Sequence, residues 1–162
     1  MVGHRDPVTD VVSATGFDAF YRSEYARTVR LARLLTGSMT AAEDLAQEAF
    51  VTVFRKGSTL DVPAAFLRTA TVNLCRNWHR SRSRESLRLA RVGLPQGSLS
   101  LGAREMDELV AALPYRQRAV LVLRYWLDLS EADIATTLGC RAGTVESLHS
   151  RALAQLRKEL PR

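Results

Sequence analysis

The sequence predicts an all-α protein in which two small helical domains are joined by a flexible linker, the second domain containing a helix-turn-helix. Apolar residues recur at helical spacing along most of the chain, and no stretch shows the alternation typical of a β-strand. The composition changes near Ser83, where Pro95 and several glycines interrupt the helical spacing before it resumes. A chain of 162 residues can form one ordinary domain or two small ones, and the interruption favours two.

The element boundaries follow from turn and capping residues. Pro63 suits the first turn of a third helix, because a proline there loses no hydrogen bond. Ser38 or Thr40 suits the start of the second helix, with Glu43 at the position of a capping-box acid. The apolar stripe of the second helix is expected to be Leu45, Ala49, Phe50, Val53 and Phe54. That of the third helix is expected to be Phe66, Leu67, Ala70, Leu74 and Trp78. We therefore expect a flexible N-terminus at residues 1–15, a first helical domain at 16–83, a linker at 84–103 and a second helical domain at 104–162.

The composition and the first residues of the chain indicate the cellular compartment in which the protein works. Hydrophobic residues make up 46% of the chain, but no apolar run is long enough to span a membrane. The first residues lack the charged-then-apolar layout of a secretion signal. Cys75 and Cys140 lie in different helical segments, as expected for two reduced thiols. We expect a cytoplasmic protein that does not associate with membranes.

Positive charge is concentrated in one segment. Between Arg68 and Arg91 there are seven arginines against the single acid Glu85, a net charge of +6. The whole chain also carries +6, so its remainder sums to zero. Such a block predicts contact with a polyanion, the alternative being a solvated, arginine-rich linker.

The stretch ADIATTLGCRAGTVESL at residues 132–148 predicts a helix-turn-helix. Two short amphipathic segments flank a break that contains Gly139, which suits a tight turn between helices. Ala135 is small where the helices would cross, and Val145 would anchor the second helix. An ordinary αα-hairpin in a helical core is the alternative.

Residues for catalysis are not evident. The chain has no glycine-rich phosphate loop, no histidine pair spaced for a metal and no Ser-His-acid constellation. Cys75 and His79 are four residues apart, but two ligands alone make a poor zinc site. We expect no catalytic residues, no cofactor and no bound metal, and hence a protein that is not an enzyme.

With these helices placed, the chain from Phe17 to Leu160 resembles the extracytoplasmic-function (ECF) sigma factors, the smallest members of the sigma-70 family. EDLAQEAFVTVFRK resembles the helix that docks on RNA polymerase. PAAFLRTATVNLCRNWHRSRSR resembles the helix that reads the minus-ten element, and ALPYRQRAVLVLRYWLDLSEADIATTLGCRAGTVESLHSRALAQLR resembles the domain that reads the minus-thirty-five element. The resemblance implies an alternative sigma factor whose partners are core RNA polymerase, promoter DNA and an anti-sigma factor.

The resemblance also implies three groups of site residues. Polymerase binding is expected from Asp44, Gln47 and Glu48. Minus-ten recognition is expected from Arg68, Asn73, Arg76, Asn77 and Arg80, on the side of the third helix opposite its apolar stripe. Minus-thirty-five recognition is expected from Arg141, Thr144, Glu146, Ser147, Ser150 and Arg151.

Two residues invite more than one interpretation. Trp78 offers a ring for an unpaired base to stack on, or it belongs to the core. Glu146 departs from the family pattern, which is basic here. Because a carboxylate repels phosphate but accepts a hydrogen bond from cytosine N4, we hypothesise that Glu146 reads a base.

Two other functions compete with a sigma factor. A freestanding helix-turn-helix transcription regulator explains the last third of the chain but gives the second and third helices no role. An interaction protein with a vestigial helix-turn-helix would suit the near-neutral charge of the second domain.

Overall fold

The computed structural model describes residues 14–93 and 106–160, and every regular element within those ranges is helical. This confirms the predicted all-α class, whereas residues 1–13 and the linker from residue 94 lie outside the described ranges. No described helix is long and apolar enough to cross a membrane. The helices are α1 (Ala14–Thr36), α2 (Met39–Lys56), α3 (Pro63–Arg91), α4 (Met106–Ala111), α5 (Tyr115–Leu121), α6 (Glu131–Leu138) and α7 (Ala142–Glu159).

Contacts between Cα atoms divide the chain into two compact units. Unit 1 comprises residues 1–33 and 38–74, and unit 2 comprises residues 34–37 and 75–162. The boundary therefore falls within α3, and the last residues of α1 are grouped with unit 2. The domains expected from the sequence are instead continuous segments.

The core of unit 1 forms where the aromatic side chains of α1 meet α2. The Tyr21 ring lies 4.7 Å from the Phe50 ring, between centroids, and the Phe20 ring meets Phe50 edge-on at 6.0 Å. Offset and edge-on geometries are those that aromatic rings prefer. Phe50 is 2% exposed, and the core continues through Val53 and Leu67. The aromatic spacing of α1 thus fixes the face of α2 that is buried.

Helix α2 begins and ends at residues suited to those positions. Ser38 is the N-cap, and its Oγ accepts a hydrogen bond from the Ala41 N–H at 3.2 Å. Of the two N-cap candidates, Ser38 is therefore confirmed. The helix ends at Gly57, whose φ of 53° favours glycine.

Helix α3 buries a somewhat different stripe from the one predicted. Thr71 and Cys75 are fully buried, with Leu67 at 2% exposed, whereas the predicted stripe included the half-buried Trp78. Thr71 tolerates burial because its hydroxyl donates to the Leu67 carbonyl at 2.7 Å. The helix also continues into the segment expected as linker, where Arg88 and Glu85 form a bidentate pair at its exposed end.

A buried cation organises unit 2. Arg118 is 5% exposed, and it donates to the Val110 carbonyl at 3.2 Å, the Leu113 carbonyl at 3.1 Å and the Ala111 carbonyl. It also donates to the Leu35 carbonyl at 2.5 Å. Carbonyls at helix ends carry partial negative charge, so they stabilise a guanidinium that has no carboxylate partner in these contacts. Desolvation nevertheless lowers the Arg118 pKa from its usual value.

The helix-turn-helix has the predicted geometry. Ser130 caps α6 by accepting from the Asp133 N–H at 3.1 Å. Gly139 ends the helix with φ 62° and ψ 43°, and Cys140 N–H returns to the Ala135 carbonyl at 3.0 Å. Val145 is fully buried in α7. A segment of π-helix at Val122–Trp126, which the sequence pattern did not predict, leads into the motif.

Replacing Gly139 with alanine is expected to destabilise unit 2 by roughly 1 kcal/mol, because an L-residue is strained at positive φ. A Cβ built there meets nothing within 4 Å, so the cost is that of the backbone conformation. The midpoint of urea unfolding, compared with that of the wild type, measures this loss of stability. Gly143 is the matched control, since it lies inside α7 with equally open surroundings, and Gly143→Ala should raise stability. Equal midpoints for Gly139→Ala and wild type would contradict the assignment.

The two cysteines are expected to react at very different rates. Burial raises the pKa of the Cys75 thiol to about 12, and its side chain is 0% exposed. Since the thiolate is the reactive form, Cys75 should be alkylated about a hundredfold more slowly than the half-buried Cys140 at mildly alkaline pH. Mass spectrometry of the native protein and of Cys140→Ser measures this. Equal labelling of both thiols in the folded protein would refute the packing of α3.

Candidate functional site

The exposed face of α2 presents the residues expected to bind polymerase. Asp44, Gln47 and Glu48 are all exposed, while Leu45 and Ala49 on the opposite face are buried. Because three and four residues span about one helical turn, the three polar side chains share one surface. The structure therefore brings this predicted group together.

The same surface includes apolar side chains that the sequence interpretation assigned elsewhere. Phe54, grouped there with the buried stripe of α2, is 61% exposed, and Val51 is 46% exposed. The Phe17 ring meets the Phe54 ring edge-on at 5.0 Å. The signal was present in the sequence, since Phe54 follows Gln47 by two helical turns. These side chains border a groove of about 470 Å³ lined by Phe17, Tyr21, Gln47, Phe50, Val51 and Phe54.

Four of the five residues expected to read the minus-ten element share one face of α3. Asn73, Arg76, Asn77 and Arg80 are related by steps of three and four residues, and Asn77 and Arg80 are exposed. Arg68 does not join them. It lies one turn before the buried Val72, and its Nε atom is buried with no hydrogen-bond partner in the described part of the chain.

Trp78 combines features of both interpretations. It is half-buried, and the Arg82 guanidinium lies over its ring at 4.8 Å from the centroid. The His79 ring meets it edge-on at 4.9 Å. A cation over an indole ring is a favourable contact. While Arg82 lies there, that face of Trp78 is not open to a stacking base.

His79 is held within unit 2 and has no group of metal ligands around it. Its Nε2 lies 2.6 Å from the Leu35 carbonyl oxygen and 3.1 Å from the Arg118 guanidinium. Because a carbonyl oxygen only accepts, the tautomer compatible with the 2.6 Å contact is the one in which Nε2–H donates to Leu35. Burial lowers the pKa of His79, and the positive charge of Arg118 lowers it further. The hydrogen bond to Leu35 acts in the opposite direction and raises it. Across residues 14–93 and 106–160, no three His, Cys, Asp or Glu side chains are grouped to hold a metal ion.

The outer face of α7 carries the residues expected to read the minus-thirty-five element. Arg141 is the N-cap residue, and Thr144 is half-buried at the first turn. The remaining four are exposed, opposite the buried Val145, Leu148 and Ala152: Glu146, Ser147, Ser150 and Arg151.

Two side-chain hydrogen bonds on this helix engage polar groups that would otherwise face solvent. The Ser147 hydroxyl donates to the Gly143 carbonyl at 2.9 Å, so its proton is engaged within α7. The Tyr125 hydroxyl lies 2.7 Å from Nε2 of His149, on the flank of the same helix. Glu146 forms neither contact, and it is exposed on the outer face in the second turn of the helix.

Comparisons with known proteins assign families to both parts of the chain. The family model for sigma-70 region 2 matches residues 20–85, and the model for sigma-70 region 4 matches residues 103–156. The RNA polymerase sigma-E factor of Streptomyces coelicolor is 32% identical over 154 residues, covering 89% of this chain and 85% of that protein. The ECF RNA polymerase sigma factor SigM of Mycobacterium tuberculosis is 30% identical over 151 residues, covering 89% and 76%.

Solved structures share the fold. The sigma factor RpoE in complex with the anti-sigma factor NepR, from Bartonella quintana, matches with a TM-score of 0.71 and 23% identity, over 90% of this chain and 98% of that one. CnrH in complex with the cytosolic domain of CnrY matches with a TM-score of 0.68 and 23% identity, over 94% and 95%.

Proposed function

The chain belongs to the ECF sigma factors of the sigma-70 family and serves as an alternative sigma factor in promoter-specific transcription initiation, and on that premise we propose which of its surfaces bind polymerase and promoter DNA. The observation that carries the proposal is that both sigma-70 regions occur in order in one chain. Each region also presents an exposed polar face on a helix whose opposite face is buried.

Core RNA polymerase is bound by the outer face of α2. Asp44 and Glu48 supply charge, and Gln47 supplies an amide that both donates and accepts. Val51 and Phe54 add exposed apolar surface beside them. A buried apolar centre with a polar rim is the usual anatomy of a stable protein interface, and this surface has both components.

The minus-ten element is read by α3. Arg76 and Arg80 suit phosphate contacts, and Asn77, exposed between them, suits the edge of an adenine. Opening a promoter exposes unpaired bases, which stack on aromatic or guanidinium planes. Trp78 joins this group only when Arg82 leaves its ring.

The minus-thirty-five element is read by α7 lying in the major groove. Arg141 and Arg151 lie at its start and at its middle, where they suit phosphates on either side of the groove. Thr144, Ser147 and Ser150 lie between them. Gly139 allows the helix to leave the body of unit 2 at the angle that this docking needs.

Replacing Glu146 with glutamine is expected to change the order of preference among minus-thirty-five sequences. A carboxylate only accepts hydrogen bonds, so it favours cytosine N4, whereas an amide also suits adenine. A discrimination of roughly tenfold at one base pair should be lost. Binding of polymerase holoenzyme to a panel of single-base variants measures this. Glu159→Gln, the same change at the exposed end of α7 and outside the proposed site, is the control. Unchanged relative preferences for Glu146→Gln would refute the hypothesis.

The remaining elements of the proposal concern partners and compartment. We propose that the chain catalyses no reaction, works in the cytoplasm and is regulated by an anti-sigma factor. The similar folds of RpoE and CnrH, solved with NepR and CnrY, support an anti-sigma partner for this chain. The proposed domains keep the boundaries 16–83 and 104–162.

Dependence on core polymerase tests the proposal against a freestanding regulator. The measurement is binding of labelled promoter DNA by the chain alone and with core polymerase, across a salt series. A sigma factor should bind weakly alone and gain about a hundredfold with core, because the polymerase links two weak contacts. Tight, specific duplex binding without core, and no co-elution with core, would instead establish the freestanding regulator.

A further inference from the structure

A cleft inside unit 2 lies beside the proposed minus-ten contacts and shares Arg76 and Arg80 with them. Its volume is about 760 Å³, within the range of roughly 300–1,000 Å³ typical of ligand pockets. One side is formed by α3, a second by the first residues of α5, and a third by the turn between α6 and α7. All of its lining residues belong to unit 2.

The cleft is positively charged. Its charged lining residues are Arg76, Arg80, Arg84 and Arg116, and the described part of the chain contributes no carboxylate to the lining. Among the described residues, the arginines that pair with a carboxylate lie outside the cleft, Arg88 with Glu85 on α3 and Arg22 with Asp18 on α1. Converging guanidinium groups without a counter-ion within the protein favour an anion, and the fork of arginine matches phosphate oxygens.

Polar atoms in the lining remain unsatisfied. Nε of Arg76 and Oε1 of Gln117 are both buried, and neither has a hydrogen-bond partner among the described residues. Leaving buried polar groups unpaired is costly. Arg76 needs an acceptor, whereas Oε1 of Gln117 needs a donor. One ligand that has both phosphate oxygens and a hydroxyl or amino group would satisfy the two.

We propose that this cleft binds a nucleoside polyphosphate, with its phosphates on the arginines and a sugar or base donor on Gln117. The volume suits a ligand of that size, and a fully ionised polyphosphate chain has no donor for Gln117, whereas a nucleoside adds hydroxyl and amino groups. Arg76 and Arg80 are also the residues proposed for the minus-ten element, so the bound nucleotide competes with promoter DNA for them. That consequence rests on the proposed function, whereas nucleotide binding does not.

Calorimetric titration of the chain, without polymerase or DNA, tests the site. The probes are ATP, GTP and inorganic tripolyphosphate. We expect a nucleoside triphosphate to bind about fivefold or more tightly than tripolyphosphate, and Gln117→Leu to remove that difference. The double variant Arg84→Ala/Arg116→Ala should weaken all three probes by about tenfold or more, since both residues are exposed lining residues outside the proposed promoter sites.

The control has the same change of net charge. Arg27 and Arg30 are exposed on α1 in unit 1, and Arg27→Ala/Arg30→Ala should change each affinity less than about twofold. If both double variants lost affinity for the probes equally, the probes would be attracted by the net charge of the chain alone, and the proposed site would be overturned. Equal affinity for tripolyphosphate and both nucleotides would overturn the nucleoside assignment. Thermal melting of each variant checks that its fold is intact, and the titration stands whether or not the chain directs transcription.

Discussion

The double variant Asp44→Ala/Glu48→Ala is expected to bind core RNA polymerase about a hundredfold more weakly than the wild type. Both carboxylates are exposed on the outer face of α2, on either side of the turn that carries Gln47. Because their neighbours Leu45 and Ala49 are buried on the other face, the substitutions leave the core of unit 1 intact. Alanine also favours the helix, so the loss reports the interface. Fluorescence anisotropy of the labelled chain titrated with core polymerase measures the affinity.

Asp18→Ala/Asp61→Ala is the matched control, because it removes two exposed acids from the same unit without touching α2. Its affinity for polymerase should stay within about twofold of the wild type. A third variant, Phe54→Ala, separates charge from apolar contact on the same surface. Wild-type affinity for Asp44→Ala/Glu48→Ala would show that polymerase binds another face of the chain.

The second large effect is expected from α3. Arg76→Ala/Arg80→Ala should retain polymerase binding but reduce promoter opening by about tenfold or more, because it removes two phosphate contacts from the helix proposed to hold the minus-ten element. Permanganate reactivity of unpaired thymines in the promoter measures opening.

Here again Arg27→Ala/Arg30→Ala is the control, since it lowers the net charge equally from an exposed part of α1. Loss of polymerase binding by Arg76→Ala/Arg80→Ala, with promoter opening restored at high polymerase concentration, would mean that α2 and α3 have the opposite roles. Unchanged opening would exclude this face of α3 from the promoter.

Much of the fold was predictable because its signals are local. The cap at Ser38, the proline at Pro63 and the glycine at Gly139 each act within a few residues, and the structure has all three at element boundaries. The exposed faces of α2 and α7 were predictable for the same reason. Once the buried stripe of an amphipathic helix is known, the side chains opposite it are known as well.

The features that sequence patterns missed depend on distant partners or on polar groups. Thr71 is buried because it satisfies its own hydroxyl within the helix, which a hydrophobicity pattern does not detect. Arg118 is buried because carbonyls from Leu35 and from the end of α4 converge on it, and one of these is 83 residues away. Phe54 continues the apolar spacing of α2 yet is 61% exposed, although the Phe17 ring of α1 meets its ring edge-on, and spacing alone does not show how much of a side chain its partner helix covers.

The candidate sites also divide into those that local spacing predicts and those that depend on contacts between distant segments. The polymerase group on α2 and the outer face of α7 are each contained in one helix, so spacing alone was enough to group them. The resemblance grouped Arg68 with Asn73 and Arg76 on the side of α3 opposite its apolar stripe, but its position along α3 directs it beside the buried Val72. The arginine cleft joins residues from three segments, and no spacing rule brings Arg84 and Arg116 together.

The central claim is that this chain directs core RNA polymerase to its own promoters, and run-off transcription tests it most directly. Purified core polymerase is supplied with promoter-bearing genomic fragments from the source organism, with and without the chain. We predict discrete transcripts that require the chain and that disappear with Asp44→Ala/Glu48→Ala. The same transcripts with and without the chain, or none in either reaction while the chain binds duplex DNA tightly, would contradict it.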